Sequence, residues 1–252
     1  METPRRHYAH APITEAVIAL GFELPNEIAL NDLAAGHATL KQDYPIRDEH
    51  FQVQVRVEAA EREGKVTPAE LLGYHFASED RKRLILLTLK DFTFSQLAPY
   101  DRWETLRSQA KQAWNLVELF IHPQKVTRAS VRFINRIDIP IRETQHIDLD
   151  DYFRTAPKIA PELPQELKTY FIRLELPMPG STDNSNRVLI ITETPAAAPN
   201  ANVISAVLDI DAIVQNMSTN AAEAWAIIEE LRDVKNFAFE ACITDGIRNL
   251  IR

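Results

Sequence analysis

Two pseudo-repeated α+β halves, each an antiparallel sheet packed by a long helix, are the fold that this 252-residue chain predicts. Three observations predict it. Residues 13–25 and 126–140 echo each other: both read as strands ending in an acidic-aliphatic-proline tripeptide, Glu23-Leu24-Pro25 and Asp138-Ile139-Pro140. Each is followed by short period-two runs bounded by polar turns. Each series closes on a stretch of helical spacing, at about 101–121 and about 220–250.

Residues 1–11 read as a polar arm. In 13–25, Ala16, Ile18, Leu20 and Phe22 share one face and Val17 and Ala19 the other, and Pro25 stops the strand. Asn26 is placed to cap a helix over 27–41, with Ile28, Leu33, Ala34, His37 and Leu40 roughly on one face. Phe51, Val53, Val55 and Val57 alternate with Gln52, Gln54, Arg56 and Glu58, the pattern of a half-buried strand. Strands 71–78 and 83–90 follow, joined by the polar loop 78–82, and Asp91 turns the chain into strand 92–97. Trp103, Leu106, Ala110, Ala113, Trp114, Val117 and Phe120 then keep helical spacing until Pro123.

The second half begins with a long strand over 126–139 and a short helix at 148–153. A proline-punctuated stretch follows, with one helical turn at 163–168. Strands 169–176, 187–194 and 203–208 come next, the first two joined by a hairpin at 180–186. Thr219 or Asn220 caps a terminal helix whose apolar side holds Trp225, Ile228, Leu231, Val234, Phe237, Ala238, Ala241 and Ile247, with Gly246 loosening its end. The order is therefore β-α-β-β-β-β-α over 12–123 and β-α-β-β-β-α over 124–252. The halves stand as two sheets or join in one continuous domain. Joined, they would make a single saddle-like sheet, as in TATA-binding-protein-like and helix-grip topologies. That analogy is topological and carries no function.

Composition narrows the function classes. At 45% hydrophobic and 25% charged, the chain is of the soluble globular type. Only 6 glycines against 15 prolines argue against glycine-rich phosphate loops. A net charge of −8 disfavours bulk attraction to nucleic acid or anionic membrane. Cys242, the single cysteine, excludes an intrachain disulfide and a cysteine-based zinc site. The first ten residues carry no apolar signal region, and no apolar run approaches the ~20 residues of a membrane helix. A cytoplasmic protein is expected.

Three segments go together: Pro12-Ile13-Thr14-Glu15-Ala16-Val17, Arg132-Phe133-Ile134-Asn135-Arg136-Ile137-Asp138, and Phe239-Glu240-Ala241-Cys242-Ile243-Thr244-Asp245. As a set they resemble the signature segments of a sporadically distributed, functionally uncharacterised family of bacterial and archaeal proteins of about this length. The resemblance spans both ends and the middle of the chain. Scattered distribution implies horizontal transfer and a mobile-element, phage-defence or toxin–antitoxin context. It lends no catalytic residues.

The central segment is the best candidate site. On a strand, Arg132, Ile134, Arg136 and Asp138 share one face, and Val131, Phe133, Asn135, Ile137 and Ile139 share the other. An arginine-lined face suits an anion or an acidic partner strand. The alternative is an Arg–Asp pair and a buried Asn, with its hydrogen bonds satisfied, that fix sheet register. Glu15 is placed to pair with an arginine of the second-half strand; as a catalytic acid it lacks a second carboxylate. Arg56 and Glu58 on one strand, and Arg173 and Glu175 on another, repeat an Arg-x-Glu pattern, which reads as cross-strand ion pairs on a solvated face or, stacked across a sheet, as the wall of a polar tunnel for a phosphorylated ligand. No Glu-x-Glu-x-Lys run supports the tunnel.

The seven histidines (His7, His10, His37, His50, His75, His122, His146) form neither a His-x-x-x-His nor a His-Glu-x-x-His pattern. Gly-x-Ser-x-Gly, Walker and dinucleotide motifs are absent as well. No metal ligand, cofactor or catalytic residue is therefore assigned. The aromatics Trp103, Trp114 and Phe120, and Trp225, Phe237 and Phe239, belong to the core or to a partner surface. The leading expectation is a non-enzymatic module that binds another protein or a second copy of itself. Its site would be Arg132, Asn135, Arg136 and Asp138, with Glu15 at the junction. Two rivals stand beside it. One is a small anionic-ligand sensor or enzyme whose pocket gathers Arg56, Arg132, Arg136 or Arg173. The other is a nucleic-acid binder with a continuous basic stripe.

Overall fold

The alternating runs do form strands, and nine of them pair into one antiparallel sheet. A computed structural model describes residue 6 and residues 8–52, 70–141, 147–179 and 186–252, with backbone alone at 55, 56, 65 and 66. The first half runs β1 (Ile13–Glu23), α1 (Leu30–Ala35), α2 (His37–Leu40), β2 (Ile46–Gln52), β3 (Val55–Arg56), β4 (Lys65–Val66), β5 (Glu70–Ala77), β6 (Arg83–Thr88), β7 (Asp91–Leu97) and α3 (Trp103–Ile121). The second runs β8 (Lys125–Pro140), a 3-10 turn (Leu149–Asp151), β9 (Ile172–Pro177), β10 (Asn186–Ala196), β11 (Val203–Gln215), α4 (Ala221–Cys242) and α5 (Asp245–Ile251). The sheet order is β2-β5-β6-β7-β1-β8-β11-β10-β9, and β3 pairs with β4 in a separate two-stranded sheet. The class is α+β, and β1 against β8 makes the sheet continuous across both halves.

Several elements depart from their sequence expectation. The helix expected over 27–41 is two short helices meeting at Gly36. Asn26 does not cap it. Ala29 holds the N-cap position, and its N–H donates to the Asp32 carboxylate at 2.8 Å. A side chain at Gly36 would run into the Phe120 ring, so close packing on α3 demands glycine there. Strand β2 begins at Ile46 and lies at the sheet edge, which leaves Phe51 exposed. Val53, Val57 and Glu58 lie outside the described residues, as do His7, His146 and the hairpin residues 180–185. Residues 163–168 are irregular, and β11 continues to Gln215.

The terminal helix breaks at Ile243-Thr244. There the 152–154 loop takes over its backbone groups: Thr244 N–H donates to Tyr152 O (2.9 Å) and Arg154 N–H to Cys242 O (2.8 Å). Thr244 then caps α5 through Gly246 N–H. Gly246 has no room for a side chain, because Asp151 O lies against it.

All the large helices cover one face of the sheet. Helix α4 packs on β8 and β11, and α3 packs on β1 and β7. A single apolar cluster runs beneath both. Trp114 is fully buried between the Phe22 and Phe92 rings (centroids at 5.8 and 5.4 Å). Glu229 ties α3 to α4, accepting from Trp103 Nε1 (3.0 Å) and pairing with Arg107. Glu193 is fully buried yet satisfied, accepting from the Thr155 and Tyr170 hydroxyls. Burial raises its carboxyl above the ordinary range, and burial also pushes the Cys242 thiol up to about 12. That thiol is a core group and a poor nucleophile.

At Gly73 on β5, an added methyl would collide with the Leu87 carbonyl on β6. Gly73→Ala should therefore cost about 1–3 kcal/mol, read as a lower urea midpoint with an unchanged m-value. An unchanged midpoint would show that β5 and β6 are less closely apposed than described.

Candidate functional site

Side chains alternate on β8, so Phe133 and Asn135 point toward α4 and Arg132 and Arg136 point away. A cavity of about 1350 Å³ opens on the α4 side. Its floor is Phe133 and Asn135. The arm (Tyr8, Pro12, Ile13) and the lead into α3 (Tyr100 to Glu104) form one wall, and Leu176, Arg187 and Leu189 form the other. The roof is α4 from Arg232 to Glu240. A bulge at Thr14 sets the arm. Ile13 pairs with Asn135 while Glu15 pairs with Ile134, so one extra residue turns Ile13 into the cavity. The arm is held by Arg136 N–H to Pro12 O (2.8 Å), by His10 N–H to Ile251 O (3.1 Å) and by Tyr8 OH to Glu240 (2.5 Å).

Lys235 is the central finding. It lines the cavity yet is only 8% exposed, and its Nζ sits 3.6 Å from the centroid of the Phe133 ring. Among the described residues it has no hydrogen bond and no ion pair. Burial, helped by the Arg232 charge, lowers its pKa from 10.5 to about 7. The other cationic side chains on the lining each have an acidic partner. Arg6 meets Glu240 (3.7 Å), Arg187 meets Glu230 (2.9 Å), Arg232 meets Glu104 (3.4 Å) and Arg102 meets Asp101 (3.1 Å). Arg187 still keeps a buried Nε with no acceptor among the described residues. Arg232 also lies over the Trp103 ring at 5.3 Å.

The residues singled out from sequence divide between the two faces. Asn135 is inside: it is buried, and its amide donates to Phe133 O (3.2 Å) and Leu208 O (3.0 Å), as a buried Asn on this face requires. Arg132, Arg136, Asp138 and Glu15 are on the opposite face. Arg132 grips Asp209 with two parallel bonds (2.9 and 2.6 Å), which hold its guanidinium above its ordinary pKa; Glu15 adds to that field. Arg136 binds Asp138 (3.1 Å), Ser205 (3.2 Å) and Ala197 O (2.7 Å), and Ser205 OH donates to Asp138 (2.5 Å).

Of the arginines Arg56, Arg132, Arg136 or Arg173, expected to converge in one pocket, the three whose side chains are described do not line the cavity, and the Arg56 side chain lies outside the described residues. Arg132 and Arg136 face away from the cavity. Arg56 is on β3, outside the main sheet, and Arg173 pairs with Glu175 (2.8 Å) on β9. Phe237, expected on the apolar side of its helix, is 46% exposed at the cavity rim.

His50 and His75 hydrogen-bond at 3.1 Å, and burial with the His50 charge lowers the His75 pKa. Among the described residues no group of three or more His, Cys, Asp or Glu is placed to hold a metal ion. None of the described helices is long and apolar enough to cross a membrane.

Sequence reasoning passed over Lys235, although a signal exists. Trp225, Ile228, Leu231, Ala238 and Cys242 form the buried stripe of α4, and Lys235 occupies the stripe position between Leu231 and Ala238. A lysine there is a charge on a core-facing position. No family model matches the chain, and no curated protein matches it.

Sign and size follow for stability. The native amine has the lower pKa, so between about 7 and 10.5 the unfolded chain binds more protons. Wild-type stability should climb with pH through that window. Lys235→Met should lack the climb and be more stable at pH 6 by about 2 kcal/mol or more. Urea titrations at several pH values test this, and parallel curves for the two proteins would overturn the burial argument.

Proposed function

We propose that the chain binds a small anionic organic molecule in the cavity between α4 and the sheet. One observation carries this reading: Lys235, buried in a large cavity with no counter-ion among the described residues. An unpaired buried cation is costly, and an anion in the cavity would supply the missing partner. The charge balance of the lining agrees, with five cationic side chains against four carboxylates. Phe133, Ile13, Leu176, Leu189 and Phe237 supply an apolar body. A mainly apolar pocket with a few convergent polar groups is the usual form of a ligand site. The ligand suited to it has a hydrocarbon or aromatic body and one carboxylate or similar head.

The same reading keeps the chain as two pseudo-repeated halves in one saddle-like sheet. Support comes from connectivity: β1 pairs with β7, β8 pairs with β11, and the first strand of each half thus pairs with its last. A second reading, a module that binds another protein, draws on different residues. Phe171, Leu174 and Leu176, at or beside the edge strand β9, are exposed together with Phe237. An open edge with apolar side chains is a docking site for an added strand. Native mass spectrometry of protein purified from its own host separates the two. A stoichiometric polypeptide favours the second reading, and a retained small mass favours the first.

Thermal shift with benzoate, hexanoate and decanoate, each against its neutral amide, tests the pocket. The carboxylates should raise the Tm of the wild type and leave Lys235→Met unmoved, and the amides should do neither. Equal shifts in both proteins would sink the assignment.

A further inference from the structure

We infer that Lys235 forms an imine with its ligand, and that the ligand is an aldehyde or keto acid with its carbonyl carbon at Nζ and its carboxylate on the neighbouring guanidiniums. The inference rests on the pocket reading above and narrows its ligand class.

The amine is set apart from the chain's other structured lysines. Lys125 is half-buried and paired with Glu23, and Lys158 is exposed and paired with Asp150. Lys235 is 8% exposed, flat on an aromatic ring, and has no carboxylate among the described residues to keep it protonated. A desolvated lysine beside another cation is the usual way to obtain a neutral, nucleophilic amine near neutral pH. Arg232 is that second cation. The head group also has a place. Arg232 and Arg187 line the same cavity, and the buried Nε of Arg187 is a donor without an acceptor among the described residues. Tyr100 packs edge-on against Phe133, at 5.3 Å between centroids, so its ring and the Lys235 amine share one aromatic neighbour.

The chemistry balances without a redox partner. The neutral Nζ attacks the carbonyl carbon, and the carbonyl π pair moves to oxygen. One amine proton transfers to that oxygen to give a carbinolamine. A second proton transfer lets the C–O bond break and water leave, so a C=N bond joins Nζ to the ligand. When protonated, this imine restores a positive charge beside the ligand's own carboxylate.

The test uses 4-carboxybenzaldehyde with the full chain at pH 7, trapped by sodium cyanoborohydride and followed by intact mass and peptide mapping. Benzoate thermal shifts are measured on the same preparation. One carboxybenzyl group should appear on Lys235 about 100-fold or more faster than on any other lysine, because an amine of pKa near 7 is far less protonated than an ordinary lysine. Benzoate should slow it, and Lys235→Arg, which keeps the charge but cannot form the imine, should abolish it. Slow modification scattered over the surface lysines, with benzoate still raising the wild-type Tm, would overturn the imine and leave the pocket standing. Scattered modification with no benzoate shift would overturn both. The mapping on unmutated protein does not depend on any variant folding.

Discussion

The pairing of β1 with β8 is the constraint on which the rest of the structure depends. It runs antiparallel from Ile13 against Asn135 to Glu23 against Lys125, at the middle of the sheet. Because side chains alternate along a strand, this register fixes what each face carries. Ala16, Ile18 and Leu20 on β1, and Ala129, Val131 and Phe133 on β8, all lie under the helices in one core. A slip by one residue would drive Arg132 and Arg136 under α4 and send Phe133 and Asn135 to the other side. The buried amide of Asn135 serves the neighbouring β8–β11 pairing, because it donates to Phe133 O on its own strand and to Leu208 O directly opposite on β11.

The two faces treat charge in opposite ways. On the face away from α4, Arg132, Arg136, Asp138, Asp209 and Ser205 satisfy one another. Buried Ser130 donates to Asp211 at 2.6 Å, and buried Glu193 on the helix side is satisfied by two hydroxyls. Lys235 breaks the pattern. Its ammonium would lose hydration and gain, among the described residues, the face of Phe133, a cation–π contact worth about 2 kcal/mol when desolvated. Local rules that fail in an otherwise consistent fold mark functional sites more often than structural accidents. The failure here lies in a cavity of about 1350 Å³, which is why it carries the functional reading.

Much of the fold was legible because it rests on local patterns. The 78–82 hairpin loop, the helix around Trp103 to Ile121 and the long strand through Arg132 to Asp138 follow from alternation, helical spacing and proline stops. So did the Arg136–Asp138 pair and the burial of Asn135, both consequences of a period of two. Other features were not legible, because non-local contacts decide them. The need for glycine at 36 comes from the Phe120 ring of α3, and the end of α4 depends on a loop far earlier in the chain that captures its backbone groups. Asp209, the partner of Arg132, is 77 residues away, and no spacing rule reaches that far.

By itself, the sequence determined the α+β class, which residues of each strand share a face, and the absence of any local catalytic or cysteine-based motif. Periodicity and composition act within a few residues, and these properties need nothing more. Only the tertiary structure decided that nine of the strands form one sheet, that Arg132 and Arg136 face away from the cavity, and that a lysine on an apolar stripe is buried with no counter-ion among the described residues. Which face is covered, and what stands opposite a side chain, are set by packing between segments far apart in the chain. The chemistry of Lys235 comes from its surroundings: an ordinary lysine becomes a candidate nucleophile once Phe133, Arg232 and α4 have closed around it.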